Sequence, residues 1–481
     1  RAMSGDALAL FAPLFAPRAV AVVGASSGTG GFANTFLRNL RPSGFVGRIY
    51  PVHPTAPTIE GFPAVPSLRD LPEPVDYAYV AVGAAQTPKL FEGAAGKLRF
   101  VQVVSSGFAE SGAPELQAEL VAAVRGAGAR LVGPNCLGIH APLAKLSFVD
   151  RVGFAPGGVG VLSQSGGLGV DILRRGQMRG LRFSGLVTMG NCADLGAAEL
   201  LGYYLADPRT KVIGLYLEDA PDARQLFDTL RAARGRKPVV LLKGGRTADG
   251  QRASASHTAA LAQDDRLWGA FARQTGVALV ETLDAFLDAL LMFQALPARP
   301  GLPTRKLVLF GNGGGTSVLA ADAFSRAGFE VPRFGEATLA RLEALGLPPG
   351  SSVQNPVDTP AGTLRQQDGR IAGRIFEAFA AEPGIGAVVM HLNMTVILSY
   401  ANPQILPNLF AAALAARDGG AEAGHFVLVL RSDGEADIEA QKQRYREQAV
   451  ADGIPVYNEL AEAAQALRVL AGYETFLAAR K

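Results

Sequence analysis

Val20-Ala21-Val22-Val23-Gly24-Ala25-Ser26-Ser27-Gly28 is a short apolar run that breaks into a loop of small residues. Consecutive apolar residues without polar alternation read as a strand buried on both faces, the signature of a parallel sheet. The pattern recurs at Gly160-Val161-Leu162-Ser163-Gln164-Ser165-Gly166-Gly167 and at Leu307-Val308-Leu309-Phe310-Gly311-Asn312-Gly313-Gly314-Gly315. A helical stretch follows each, so each opens a doubly wound α/β unit. A chain of 481 residues exceeds one ordinary core, and about three domains are expected. Pro and Gly gather at Phe154–Gly158 and Pro297–Pro303, which divides the chain into 1–150, 151–298 and 303–481. Strands are expected around Val212–Leu217, Val239–Lys243, Ala387–His391 and Phe426–Leu430, with a helix around Leu283–Leu296.

The 46 basic and 43 acidic residues nearly balance and form no dense basic run, which argues against nucleic acid or an anionic membrane as partner. Two cysteines, Cys136 and Cys192, are too few for a disulfide framework and suit a reducing cytoplasm. No run of 18 apolar residues predicts a membrane span. The N-terminus has no basic head followed by an apolar core, so no secretion leader is expected.

A Gly-rich turn between strand and helix presents backbone N–H groups and a helix N-terminus to an anion. The loop Gly24–Gly31 therefore suits a ligand phosphate, although such a turn also serves simply to pack a helix on a strand. A nicotinamide enzyme would want an acid/base Tyr four residues before a Lys, and no tyrosine here has Lys at that offset. It would also want a carboxylate after the second strand, where this chain has Pro51-Val52-His53-Pro54. What remains is another phosphate-bearing adenine ligand, such as coenzyme A.

Phe15–Ser26 resembles the opening of the CoA-binding domain of ADP-forming acyl-CoA synthetases, relatives of succinyl-CoA synthetase. The similarity continues through Asn39-Leu40, Gly44–Pro54, Leu71–Asp76, Ser105–Glu110 and Leu131–Gly138. It departs at His53-Pro54-Thr55, where the family usually has Asn-Pro-Lys. The resemblance implies a Rossmann-like CoA-binding domain followed by two flavodoxin-like domains. It implies CoA contacts at Gly24, Ala25, Ser26, Ser27, Gly28, His53, Val82, Ser106 and Glu110. It also places Gly133, Asn135 and Cys136 near the CoA thiol and the reacting carboxyl. A Gly-Pro-Asn turn can aim N–H groups at an oxyanion. Cys136 itself reads more simply as a small buried apolar residue than as a nucleophile.

Of five histidines, His257 stands apart. It lies in Ala253-Ser254-Ala255-Ser256-His257-Thr258-Ala259, beyond the small-residue loop Lys243–Gly250. This is similar to the family's Ser-His-Thr-Gly phosphohistidine segment, with Ala259 where Gly is usual. A neutral imidazole is nucleophilic near pH 7, and its phosphoramidate readily gives phosphate up again. The family places a Glu partner at the end of a strand, here Glu218. A carboxylate there points into the crevice where α/β folds bind ligands. Two further glycine turns, at Ser163, Ser165, Gly166 and Gly167 and at Gly313, Gly314 and Gly315, open helices whose bare N–H groups suit phosphate. The similarity also covers Met189–Asp194 and Asn355–Asp358.

The resemblance implies an acid–thiol ligase that joins a carboxylic acid to CoA through phosphohistidine and acyl phosphate. No ATP-grasp pattern is recognisable, so ATP/ADP and Mg2+ are expected on a separate ATP-grasp beta subunit within a hetero-oligomer. No metal site is expected on this chain. The reading from another class is a non-catalytic CoA- or acyl-CoA-binding regulatory protein. Acetate, a branched acid, an aryl acid and a dicarboxylate all remain open as substrate.

Overall fold

The computed structural model describes residues 2–28, 30–255, 265–418 and 424–480. Two compact units divide near Phe286. Among the described residues, the first, Arg1–Phe286, holds two large sheets and a two-stranded one, Thr58–Ile59 with Phe62–Pro63, and the second holds one.

The opening apolar run forms the strand Ala19–Val23, buried along its whole length. It sits in a parallel sheet ordered Arg48–Val52, Ala19–Val23, Val75–Val80, Leu98–Val103, Arg130–Val132. The chain winds to one side of Ala19–Val23 and then to the other. The crevice at such a reversal is where open α/β sheets bind ligands. Here it is flanked by Gly24 and by the Ala81-Val82 turn.

The second sheet repeats the device. Its parallel part runs Ala278–Val280, Val239–Lys243, Val212–Leu217, Val159–Ser163, Phe183–Thr188. The reversal falls between Val159–Ser163 and Val212–Leu217, so the turn at Ser163–Gly167 faces Glu218 across it. Two antiparallel strands, Ile139–Ala141 and Leu146–Ser147, extend this sheet's edge, with Leu186 opposite His140. The segment before residue 150 thus supplies strands to both sheets. Burial has pushed the ring of His140 down to about 4.

The initial helix Ala2–Phe15 has no counterpart among the sequence expectations, yet it fastens these two sheets together. Phe15 stacks on Tyr203 with centroids 4.0 Å apart, and Phe11 stacks on Phe100 at 5.8 Å. Tyr203 belongs to the second layer and Phe100 to the first, so one apolar cluster runs through both. Asp194 adds a polar clasp. Its carboxylate accepts from Arg125, from Arg130 and from the Leu131 N–H (2.9 Å), and Arg130 also reaches Glu199. Burial raises the Asp194 carboxyl, but Arg130, the Leu131 amide and Arg125 outweigh it and hold the group below its ordinary value.

The second unit carries the parallel order Val357–Asp358, Lys306–Gly311, Ile385–Asn393, His425–Arg431, Val456–Tyr457. Its reversal lies beside Gly311, whose lack of a side chain admits His391. A Cβ there would lie 2.1 Å from the imidazole. The strands expected from sequence around Ala387–His391 and Phe426–Leu430 are each longer, spanning Ile385–Asn393 and His425–Arg431.

Candidate functional site

At the first reversal, Gly24 takes φ +99°, and a Cβ would stand 2.3 Å from the Ala81 carbonyl oxygen. Only glycine allows this approach. The loop beyond is shaped by Asn34, which sequence reasoning missed. Its Oδ1 accepts from Ser26 N at 3.1 Å, and its Nδ2 donates to the carbonyls of Ser26 and Gly28 and to Glu60. Gly28 N donates to Ser26 Oγ at 3.2 Å. Asn34 is almost wholly buried, so the small-residue loop is held from beneath while Ser26, Ser27 and Gly28 stay exposed and Ala25 is buried below them. His53 caps its own turn, with Nδ1 accepting from Ala56 N at 2.9 Å. Val82 offers its carbonyl to Ser105 Oγ, and Ser106 is exposed beside it.

Glu110 and the Gly133–Cys136 turn come together at the seam between the two sheets of this unit. Asn191 connects them: its Nδ2 donates to Glu110 and to Gln117, and its Oδ1 accepts from Asn135 Nδ2 at 3.2 Å. The other Glu110 oxygen accepts from Gly107 N at 2.6 Å and Phe108 N at 3.1 Å. Burial raises this carboxyl, but Asn191 and the two amides outweigh it and keep it ionised more readily than an ordinary Glu. The Asn135 and Asn191 amides thereby gain fixed orientations on one wall of the crevice. Gly190 makes the contact close, since a Cβ would fall 2.1 Å from the Pro134 carbonyl oxygen.

Cys136 points away from this wall. Its thiol is 2% exposed, accepts from Gln102 Nε2 at 3.2 Å and lies 3.3 Å from the Val103 carbonyl. Burial pushes it up to about 12, so the thiolate is scarce at neutral pH. Cys136→Ala should therefore keep kcat within about threefold, because a buried protonated thiol performs no chemistry. A loss of roughly a hundredfold or more, with the fold intact by circular dichroism, would assign the sulfur a chemical role.

At the second reversal, Ser165 caps the helix Gly166–Met178, its hydroxyl accepting from Leu168 N at 3.3 Å. The hydroxyl of Ser163 donates to the Ser165 carbonyl at 2.7 Å, and Gly167 has open space where a side chain would stand. Gln164, between the two serines, is the decisive residue that the sequence did not reveal. Its Oε1 accepts from Glu218 N at 2.7 Å and Asp219 N at 2.8 Å, tying the glycine turn to the opposite strand end. The Glu218 carboxylate accepts from Tyr216 Oη at 2.9 Å. Lys243 closes the back: its Nζ donates to the carbonyls of Glu218 and Gly244 and sits 5.4 Å above the Trp268 ring. Burial pushes the Lys243 ammonium down, and Asp219 and Glu218 pull it back only in part. The signal for Gln164 was its position at a strand end between two serines. His257 lies outside the described residues.

The third glycine turn belongs to the second unit. Gly313 N donates to Asp358 Oδ1 at 2.7 Å, and Asn312 Oδ1 accepts from Asn393 N at 3.1 Å, echoing Gln164. Gly314 and Gly315 open the helix Gly314–Arg326 and are exposed. Arg431 reaches Thr316 Oγ1 at 3.0 Å. His391, beneath the turn, is pushed down to about 4 by burial and by Arg431.

Among the described residues, no group of three His, Cys, Asp or Glu could hold a metal, and no helix is long and apolar enough to cross a membrane.

Residues 18–142 match the family model of a CoA binding domain, and residues 156–293 match that of a succinyl-CoA ligase like flavodoxin domain. The acetate–CoA ligase (ADP-forming) II subunit alpha of Pyrococcus furiosus is 32% identical over 348 residues, which is 72% of this chain and 75% of that one. The acetate–CoA ligase (ADP-forming) I subunit alpha of the same organism is 29% identical over 97% of this chain and 98% of its own length. The chain spans about half the length of other curated relatives it matches, among them ADP-forming acetate–CoA ligases of Archaeoglobus fulgidus and Methanocaldococcus jannaschii. Among solved structures, the dinucleotide forming acetyl-coenzyme A synthetase 1 of Ca. Korarchaeum cryptofilum, in complex with phosphate and ADP, superposes with a TM-score of 0.84. It covers 98% of both chains at 28% identity.

Proposed function

This chain belongs to the ADP-forming acyl-CoA synthetase family, and on that premise we propose that it is the CoA-binding subunit of a carboxylic acid–CoA ligase. Residues 1–150 bind CoA, 151–298 carry the phosphohistidine loop, and 303–481 form the second flavodoxin-like domain. ATP and Mg2+ are held by a separate ATP-grasp subunit, and the assembly works in the cytoplasm, where Cys136 and Cys192 stay reduced.

In the synthetic direction a ring nitrogen of His257 attacks the γ-phosphorus of ATP, and ADP leaves. Glu218 accepts a hydrogen bond from the other ring nitrogen and fixes the tautomer. A substrate carboxylate oxygen then attacks phosphorus, which breaks the N–P bond and gives an acyl phosphate. The thiolate of CoA attacks the acyl carbon, and inorganic phosphate leaves. Charge moves among phosphoryl and carboxylate oxygens throughout, so catalysis is chiefly positioning and electrostatic stabilisation. The turn Ser163, Ser165, Gly166 and Gly167 is proposed to hold the phosphoryl oxygens, and Gly133 and Asn135 the reacting carboxyl. Gly24, Ala25, Ser26, Ser27, Gly28, His53, Val82, Ser106 and Glu110 are proposed to face CoA. Gly313, Gly314 and Gly315 are proposed as a phosphate cradle of the second unit.

The observation that carries this reading is that two sheet reversals, each with a glycine turn, lie within one compact unit. One opens at the Gly24 loop and the other at Gln164 and Glu218, with Asn135 and Asn191 on the seam between. A thioester-forming enzyme needs its thiol and its phosphoryl donor brought to a common wall. Incubating the chain with an ATP-grasp partner, Mg2+ and γ-labelled ATP should leave an acid-labile, base-stable label on it. Acid substrate plus CoA should discharge that label. Tight CoA binding without any label would instead mark a binding module.

A further inference from the structure

A cleft of about 400 Å3 opens between the helix Phe32–Ser43 and the helix Gly166–Met178. Its inner surface is apolar, built from Tyr79, Leu137, Phe148 and Val170. It adjoins two of the glycine turns. Gly31 ends the first at the cleft's mouth. Gly166 begins the helix of the second, and a Cβ on it would lie 2.5 Å from Leu137 Cγ. Leu137 directly follows the Gly133–Cys136 turn. The cleft therefore starts at the wall where the acyl group is proposed to change hands.

Its polar groups are already engaged. Tyr79 Oη donates to the Leu137 carbonyl at 3.2 Å. Arg174, the cation among the described lining residues, is paired with Asp150, which also pairs with Arg151 at 3.3 Å. A second carboxylate on the substrate would meet Asp150 and a cation already neutralised. At the mouth, Phe32 is 61% exposed although it begins a helix whose other large apolar residues are buried.

We infer that this cleft is the acyl pocket, and that it selects a branched or aromatic monocarboxylic acid over acetate and over dicarboxylic acids. The inference rests on the ligase reading above. Pockets of roughly 300–1,000 Å3 with apolar walls enclose ligands of many heavy atoms. Acetate would leave most of this volume wet and Phe32 exposed. A branched or aryl tail would cover the Tyr79, Phe148 and Val170 surface and displace that water.

The test uses the full chain with its ATP-grasp partner, comparing kcat/KM for acetate, 3-methylbutanoate, phenylacetate and succinate at saturating CoA. Phenylacetate or 3-methylbutanoate should exceed acetate by about tenfold or more, the discrimination an apolar pocket gives for added carbon. Succinate should be the poorest. Val170→Phe should lower the phenylacetate-to-acetate ratio by about tenfold, and Val170→Leu, a smaller intrusion, should shift it the same way by less. Preference for acetate, or a ratio unmoved by both substitutions, overturns the inference. A raised KM for CoA with an unchanged ratio also overturns it, because the cleft would then carry the pantetheine arm. If no acid is turned over, the ligase reading fails separately. Phenylacetate raising the Tm of the chain, but not of Val170→Phe, would still place the acid in the cleft, and no rise in either would remove it.

Discussion

His257→Asn should abolish labelling of this chain from γ-labelled ATP and lower acyl-CoA formation by roughly 10^4-fold, the scale on which loss of a covalent nucleophile acts. Asparagine keeps a polar side chain of modest size. Its amide nitrogen has no available lone pair and cannot accept a phosphoryl group. The variant should still bind CoA with wild-type affinity, because the Gly24 loop and its Asn34 support belong to a different sheet. That pair of readouts separates lost chemistry from lost structure. Label that survives the substitution would move the phosphate to another residue and end the assignment of His257.

Gly24→Ala is expected to carry the second large effect, on CoA binding and on stability together. The new Cβ would stand 2.3 Å from the Ala81 carbonyl oxygen and 2.7 Å from its carbon, and both belong to backbone that ends a central strand. A positive φ costs a residue with a Cβ about 1–2 kcal/mol. Forcing the Ala81 backbone aside adds about 1–3 kcal/mol. A loss of roughly 3 kcal/mol in unfolding free energy follows, together with at least about tenfold weaker CoA binding. Gly30→Ala is the matched control, since a Cβ there meets nothing within 4 Å. Equal losses at both positions would mean that the loop needs glycine for flexibility, and that the approach to Ala81 is not what matters.

Glycine turns were the most legible part of this protein. Each announced a strand end and a helix start, and all three occur at the reversal of a parallel sheet. The residues that make those turns rigid were not legible. Asn34 lies eight positions beyond the Ser26 backbone it holds. Gln164 bonds to amides 54 and 55 residues away. Asn191 meets Glu110 and Asn135 from a different sheet. A polar side chain that serves the backbone of a distant segment leaves no periodic trace, because its partner is set by how the layers stack.

The two cysteines were readable as unpaired, but the exact environment of Cys136 was not. Its thiol is kept protonated by burial behind Gln102 and Val103, which depends on one strand lying against another.

From the order of residues alone came the class of fold and the three strand, glycine-turn and helix openings; the family resemblance added the pairing of His257 with Glu218 as an expectation. The openings follow from local periodicity and turn chemistry, which act over a few residues, whereas the pairing is what the resemblance implies. Tertiary structure decided how the first two sheets share one core through Phe11, Phe15 and Tyr203, and which amides Gln164 and Asn191 hold. It also made the apolar cleft beside Leu137. Those features arise between segments far apart in the chain, where close packing and the need to satisfy buried polar groups choose the neighbours.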